Sequence, residues 1–281
     1  MLTFNYLEGH HLFTVLVLIY YLGPLIKHKD MRSKILTIIL FISSLHFSFG
    51  QSGIRDSVIR FPLIGISYGV YIPGGDLADR FGTASMLSGD FLYKTKKNLV
   101  FGFATGFIFG DRINEKDLFA GISNSDGQII GLDGLYADVR TFERGYHISA
   151  TIGKIFSFKK PNPNSGIMVS GGPGFLQHKI RIEAIGNTVP GLRNDYKKGY
   201  DHLTNGIQIR EFIGFVSFGN RQMVNFYGGF EFIQAFTDNR RDYDFNNPSL
   251  KDENRLDLMY GFKVGWVLPL YKKKPAQYYM Y

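Results

Sequence analysis

The sequence predicts an all-β fold, an eight-stranded antiparallel up-and-down transmembrane β-barrel, on three observations. The first is the run LVFGFATGFIFG at residues 99–110. Side chains of an extended strand point alternately to its two faces. Leu99, Phe101, Phe103, Phe107 and Phe109 therefore share one face, and Gly102, Ala104, Gly106 and Gly110 share the other. A half-buried strand in water alternates apolar with polar residues. A phenylalanine wall backed by nearly bare backbone suits lipid outside and a crowded barrel interior inside. The second observation is that short alternating segments recur eight times beyond Gln51, where no run approaches the length of a transmembrane helix. The third is that long and short connections alternate between them, as outside loops and periplasmic turns do.

The composition agrees. The 281 residues include 26 Phe, 17 Tyr and 1 Trp, with no Cys, and the mean hydropathy is −0.06. This content excludes a disordered chain and a polytopic helical membrane protein. The lack of Cys excludes disulfides, thiolate metal sites and a lipidated N-terminal Cys.

Residues 1–50 read as a leader. Met31-Arg-Ser-Lys34, the apolar run that follows, and Ser48 and Gly50 at −3 and −1 form a signal peptide over 31–50. Residues 1–30 then read as an over-extended start upstream of Met31. The alternative is a signal anchor, for which the apolar run 12–26 is short. Cleavage before Gln51 removes Lys27, Lys29, Arg32 and Lys34 against Glu8 and Asp30, taking the net charge from +8 to +6. That excess fits anionic headgroups or lipopolysaccharide and calls for no nucleic acid.

Residues 51–62 are then a periplasmic N-terminal segment, 63–270 the barrel and 271–281 a periplasmic tail. The first strand is expected at 63–73, where Ile64, Ile66, Tyr68, Val70 and Ile72 share a face. The second and third, 84–94 and 98–110, end in the phenylalanine run. Tyr146, Ile148, Ala150 and Ile152 mark the fourth, at 145–157. The fifth and sixth follow at 166–182 and 206–219. Phe226, Phe230 and Phe232 mark the seventh, at 223–236, and the row from Leu256 to Leu268 marks the eighth, at 256–270. The connections 74–83, 111–144, 183–205 and 237–255 are long, and 95–97, 158–165 and 220–222 are short. An even strand number puts both termini in the periplasm and all four long loops outside.

The segments YDHLTNGIQIREFIGF, NFYGGFEF, FTDNRRDYDF and DENRLDLMYGFKVGWVLPLY are similar to a poorly characterised barrel family of the Bacteroidota. The chain as a whole resembles the small eight-stranded outer-membrane barrels of the OmpA and OmpX type, over most of residues 60–281. The resemblance implies an integral protein of the Gram-negative outer membrane. It does not imply an activity, since this architecture hosts adhesins, anchors, lipid-modifying enzymes and complex subunits. Where full-length OmpA carries a peptidoglycan-binding domain, this sequence has the tail YKKKPAQYYMY.

Several residue groups bear on function. Eight strands leave room inside for side chains but not for a channel. Asp90, His147, Glu231, Asp257 and Lys263 fall opposite the lipid face, so they are expected to meet in the lumen as a paired charge network. Proton transfer and a gated pore are the alternatives. His147 and Ser149 place a base beside a nucleophile. Lipid A deacylase barrels carry a similar His-Ser-Glu set facing lipid, with the acid on the following stretch. Residues 155–166 contain no acid, and His147 lies opposite the Tyr146/Ile148 face, so no catalytic residue is assigned. Asp242, Asp244, Asn246 and Glu253 match four ligand positions of a calcium loop. Asn247 stands where such a loop needs Gly, and Pro248 follows, so a solvated loop is expected and no metal or cofactor is assigned.

In the longest loop, Leu118, Phe119, Ile122, Ile129, Ile130 and Leu132 need cover, either from the barrel mouth or from a partner. In the tail, Lys272, Lys273 and Lys274 precede Tyr278, Tyr279 and Tyr281, which suits snorkelling at the inner interface or docking a partner. The sequence therefore points to a non-enzymatic structural or interaction component of the envelope. Its expected partners are outer-membrane lipid, lipopolysaccharide and other envelope proteins. An accessory subunit of a secretion or assembly machine, a lipid-modifying enzyme and a small-solute pore are the rival readings.

Overall fold

The alternation in the sequence is realised as eight strands in a computed structural model that describes residues 57–115, 117–158, 162–219, 225–245 and 254–271. The leader and the tail tyrosines lie outside those residues. The strands are β1 (Phe61–Gly75), β2 (Ala84–Lys94), β3 (Leu99–Gly110), β4 (Val139–Ser157), β5 (Gly166–Ala184), β6 (Thr204–Phe218), β7 (Asn225–Asn239) and β8 (Asn254–Pro269). Each pairs antiparallel with the next. β8 returns to β1, from Leu63 opposite Pro269 to Gly75 opposite Asp257, and the ring closes with no free edge around it.

Most strand ends lie within three residues of expectation, and one departs further. β4 begins at Val139, six residues before the apolar alternation starts, and pairs with β5 as far as Ala184. Arg140, Glu143 and Arg144 hide the strand in the sequence, because a backbone ladder does not require apolar side chains. β4 and β5 consequently overhang their other neighbours: β3 stops at Gly110 opposite Glu143, and β6 starts at Thr204 opposite His178. A short helix, α1 (Asp76–Arg80), folds over the mouth from the β1–β2 loop with Leu77 and Arg80 buried.

The outer wall is apolar. Ile66, Phe103, Ile152, Ile207, Phe230 and Val264 each expose half or more of their surface. A soluble protein does not display apolar surface on this scale. β2 and β3, with 11 and 12 residues, match the roughly 9–11 residues a tilted strand needs to cross a bilayer.

The lumen is layered. Leu63, Leu92, Val100, Ile155, Phe212, Val216 and Val267 fill the half nearest the short turns, closed below by Phe61 edge-on to Phe218 at 5.2 Å. Met86, Ile108, Leu176, Ile180, Ile233 and Met259 fill the half nearest the long loops, capped by Leu77 and Phe81. A polar layer lies between.

Phe103 exposes 61 % of its surface to the lipid side. Phe103→Arg should destabilise the bilayer-folded barrel by about 2–4 kcal/mol, as read by urea titration in vesicles. A variant as stable as the parent would contradict the outward register of β3.

Candidate functional site: the lumen and the outer cap

Glu231 of β7 stands at the centre of the polar layer, fully buried. Its Oε2 lies 2.6 Å from Lys263 Nζ and 2.5 Å from Arg210 Nη2, and the Tyr71 hydroxyl donates to Oε1 at 2.7 Å. Arg210 also lies 3.8 Å from Asp90 and donates to the Thr151 hydroxyl, while the Tyr227 hydroxyl donates to Asp90. Two cations and two carboxylates thus meet as a group without net charge, which is what a low-dielectric interior requires. The Lys263 ammonium additionally rides over the Phe212 ring at 5.0 Å.

The five charged residues expected in the lumen, Asp90, His147, Glu231, Asp257 and Lys263, are all buried, but they do not form one network. Asp90, Glu231 and Lys263 belong to the central group. His147 lies beside it, with Ser149 Oγ 3.4 Å from its Nδ1 and the Gln208 amide donating to Ser149 Oγ at 2.7 Å. Asp257 stands nearer the long loops in a separate group. It accepts from Thr237 at 2.5 Å, lies 2.8 Å from His178 Nε2, and has Arg255 at 3.6 Å.

Sequence reasoning missed Arg210, Tyr71, Tyr227 and His178. Their parity in β6, β1, β7 and β5 was the available signal: each is an even number of residues from an inward neighbour on its own strand.

The described residues leave little open space at this level. Its cavity, lined by Asp90, Thr151, Arg210 and Lys263 among apolar neighbours, is about 20 Å³, room for about one water.

Above the lumen, the four long loops are joined. Arg80 of α1 contacts Glu115 of the β3–β4 loop at 2.8 Å and donates to the backbone carbonyl of His202, in the β5–β6 loop. His202 places Nδ1 3.0 Å from Glu115 and Nε2 2.9 Å from Asp244 of the β7–β8 loop, the latter off the hydrogen-bond axis. Arg241 pairs with Asp201 alongside. Burial pushes the Glu115 carboxyl up, but the hydrogen bond and charge of His202, and then Arg80, pull harder and hold it below its ordinary 4.5.

The apolar loop residues divide. Leu118 and Ile129 are buried in the upper core, and Phe119 and Ile122 pack against it, so as members of a partner surface these four are corrected: the barrel mouth covers them. Ile130 and Leu132 are exposed at the tip of a small hairpin, where Ile130 bridges Tyr136. Gly131 N donates to Leu135 O, and the hairpin is tied to the β5–β6 loop by Leu132 N donating to Thr188 O. Leu135, Tyr136 and Ile185 add to the same exposed patch. Between this tip and the lipid wall lie the exposed pairs Arg140–Asp138 and Arg181–Glu183, so the tip stands clear of the belt. Of the calcium-like loop, Asp242 and Asp244 fall within the described residues, and Asp244 is engaged by His202. Asn246 and Glu253 lie outside them, as do Lys272, Lys273 and Lys274.

Two outcomes follow. Glu231→Gln removes the charge that Arg210 and Lys263 share, and should cost about 3–5 kcal/mol of folding stability. Lys263→Met leaves Arg210 on Glu231 and should cost less. The double variant should recover part of the loss, and strict additivity would show the pair is not coupled. For the cap, the sign follows from the lowered Glu115 value: its contribution is present at neutral pH and is lost as pH falls through a folded-state value below 4.5. Hydrogen exchange should show the loops opening in acid while the strands stay protected. Glu115→Gln should open them already at neutral pH, and identical profiles for both proteins would refute the latch.

No family model matches the chain, and no curated protein does. Among solved structures, it is similar to Ail, the attachment invasion locus protein of Yersinia pestis. The crystal structure of Ail in complex with the heparin analogue sucrose octasulfate aligns with TM-score 0.34 at 9 % identity, over 75 % of this chain and 99 % of that one. A second Ail structure aligns with TM-score 0.36 at 8 % identity, over the same shares. The assignment rests on the ring itself: a closed circuit of eight antiparallel strands with an apolar outer wall is an integral outer-membrane β-barrel.

Proposed function

We propose that the protein is a non-conducting, non-enzymatic outer-membrane barrel that works by binding, and that its outer hairpin docks another envelope protein. The observation that carries this reading is the apolar tip beyond the charged pairs. Leu132 and Leu135 expose 71 % and 67 % of their surface on a hairpin held to its neighbour by backbone hydrogen bonds. A rigid apolar projection of this kind is a recognition element. The paired lumen and its cavity of about 20 Å³ support the non-conducting part. The burial of Ser149 under Gln208 supports the non-enzymatic part, because a nucleophile closed off from lipid and water meets no substrate.

At the opposite end, Arg60, Lys96 and Lys97 line a groove of about 380 Å³ with Tyr93 and Leu99. Cations next to lipid-facing side chains suit anionic headgroups at the inner interface. The same outer hairpin would serve an accessory subunit of a larger machine, in which case the partner co-purifies in fixed stoichiometry.

A photo-crosslinker at Tyr136 in native outer membranes should give one dominant adduct. Leu132→Asp combined with Leu135→Asp should abolish it with the barrel still folded, and planar bilayers should show no steady conductance. An adduct unchanged by the double substitution would overturn the docking role, and a steady large conductance would replace it with a pore.

A further inference from the structure

The lipid-facing wall contains one carboxylate that the fold does not use. Glu211 of β6 points outward and is exposed. On its own strand it has Ile207 and Ile209 on one side and Ile213 and Phe215 on the other, all exposed and apolar, so it lies in the middle of the belt. It has no ion pair or hydrogen bond among the described residues, in contrast to Glu231, which has three partners. A charge at that depth is costly in lipid and is retained where something pairs with it.

The wall around Glu211 is shaped differently from the rest. Its ladder partner on β5 is Gly171, and Pro173 follows two residues on, so the side of Glu211 towards β5 has almost no side-chain bulk. The β4–β5 pairing is also interrupted there, with its register unchanged. Ser149 faces Gly174 and Ile152 faces Gly171, and the two positions between are unpaired, where Pro173 brings no N–H. On the other flank, Phe232 of β7 stands directly opposite Glu211, and Gln234 faces outward, diagonal to Glu211 and opposite Ile209. On its β5 side the carboxylate thus borders a shallow notch over Gly171, with an amide diagonal to it on β7. Small residues let a second transmembrane backbone approach closely, and polar groups at that depth join the two.

We propose that this notch is an intramembrane docking site for a transmembrane segment of a different protein, which brings a lysine, arginine or amide donor to Glu211. Charge complementarity selects that occupant. A second copy of this chain related by an axis along the membrane normal would set Glu211 against Glu211 at equal depth, and like charges repel. No cation of this chain's described outward rows lies at that depth on β5, β6 or β7. The site is separate from the outer hairpin and stands whether or not that hairpin binds.

The test uses the full-length protein in native outer membranes, with a photo-crosslinker at Ile213 beside the notch or at Phe103 on the β3 wall. The expected result is an adduct with an integral membrane protein from Ile213 and not from Phe103. Glu211→Leu should reduce that adduct about tenfold or more, while the purified variant unfolds at an equal or higher urea concentration than the parent. Glu211→Gln, which keeps an acceptor, should retain part of the adduct. Equal adducts from both positions, an adduct insensitive to Glu211→Leu, or an adduct that is a homodimer would each overturn the proposal. A Glu211→Leu barrel less stable than the parent would overturn it too, because the carboxylate would then serve the fold.

Discussion

A carboxylate carried to the middle of an eight-stranded ring loses its water, and left alone there it costs several kcal/mol. Glu231 is such a group, and the interior around it follows from satisfying it. One cation does not complete its coordination, so Lys263 and Arg210 both reach its Oε2. The second positive charge then needs Asp90, and Asp90 needs the Tyr227 hydroxyl. Tyr71 must enter from β1 to donate to Oε1. Its ring occupies the space beside Gly261, where a Cβ would overlap it. Glycine on the inner face is therefore a packing requirement set by a neighbour's charge, and not only a feature of thin strands.

His147 and Ser149 are buried, with the Gln208 amide donating to Ser149 Oγ, and so belong to the packed interior. The long loops are not independent of one another either. Arg80, Glu115, His202 and Asp244 come from four different loops and meet in one chain of contacts. A hairpin mounted on such a cap loses little conformational entropy on binding, which a free loop of the same composition would lose.

Much of this was legible because a strand has period two. That period locates all eight strands and turns Asp90, His147, Glu231, Asp257 and Lys263 away from lipid. It does not tell where along the barrel axis a residue lies, so it cannot separate Asp257 from the central group: their division depends on how far β8 has climbed relative to β5 and β6. It also fails where polarity masks a strand, as in Val139–Arg144, whose ladder continues beyond the belt into water. The loop residues were ambiguous for a different reason. Leu118 and Leu132 are the same side chain in one apolar stretch, and only tertiary packing buries the first at 4 % exposure and leaves the second at 71 %.

Arg210 and Glu211 show how tightly β6 is held in register. Adjacent residues on a strand face opposite sides, so a slip of one position would turn Arg210 into lipid and Glu211 into the lumen. Arginine in the bilayer midplane costs about 2–4 kcal/mol. Inside, Glu211 would meet Glu231 and Asp90 with Lys263 as the sole remaining cation of the central group. Both consequences oppose the slip, and they are independent of the apolar pattern that favours the native register. The central ion group thus does for register what it does not need to do for stability. Apolar residues of equal volume would fill the same space, but they would not distinguish one alignment of β6 from its neighbour.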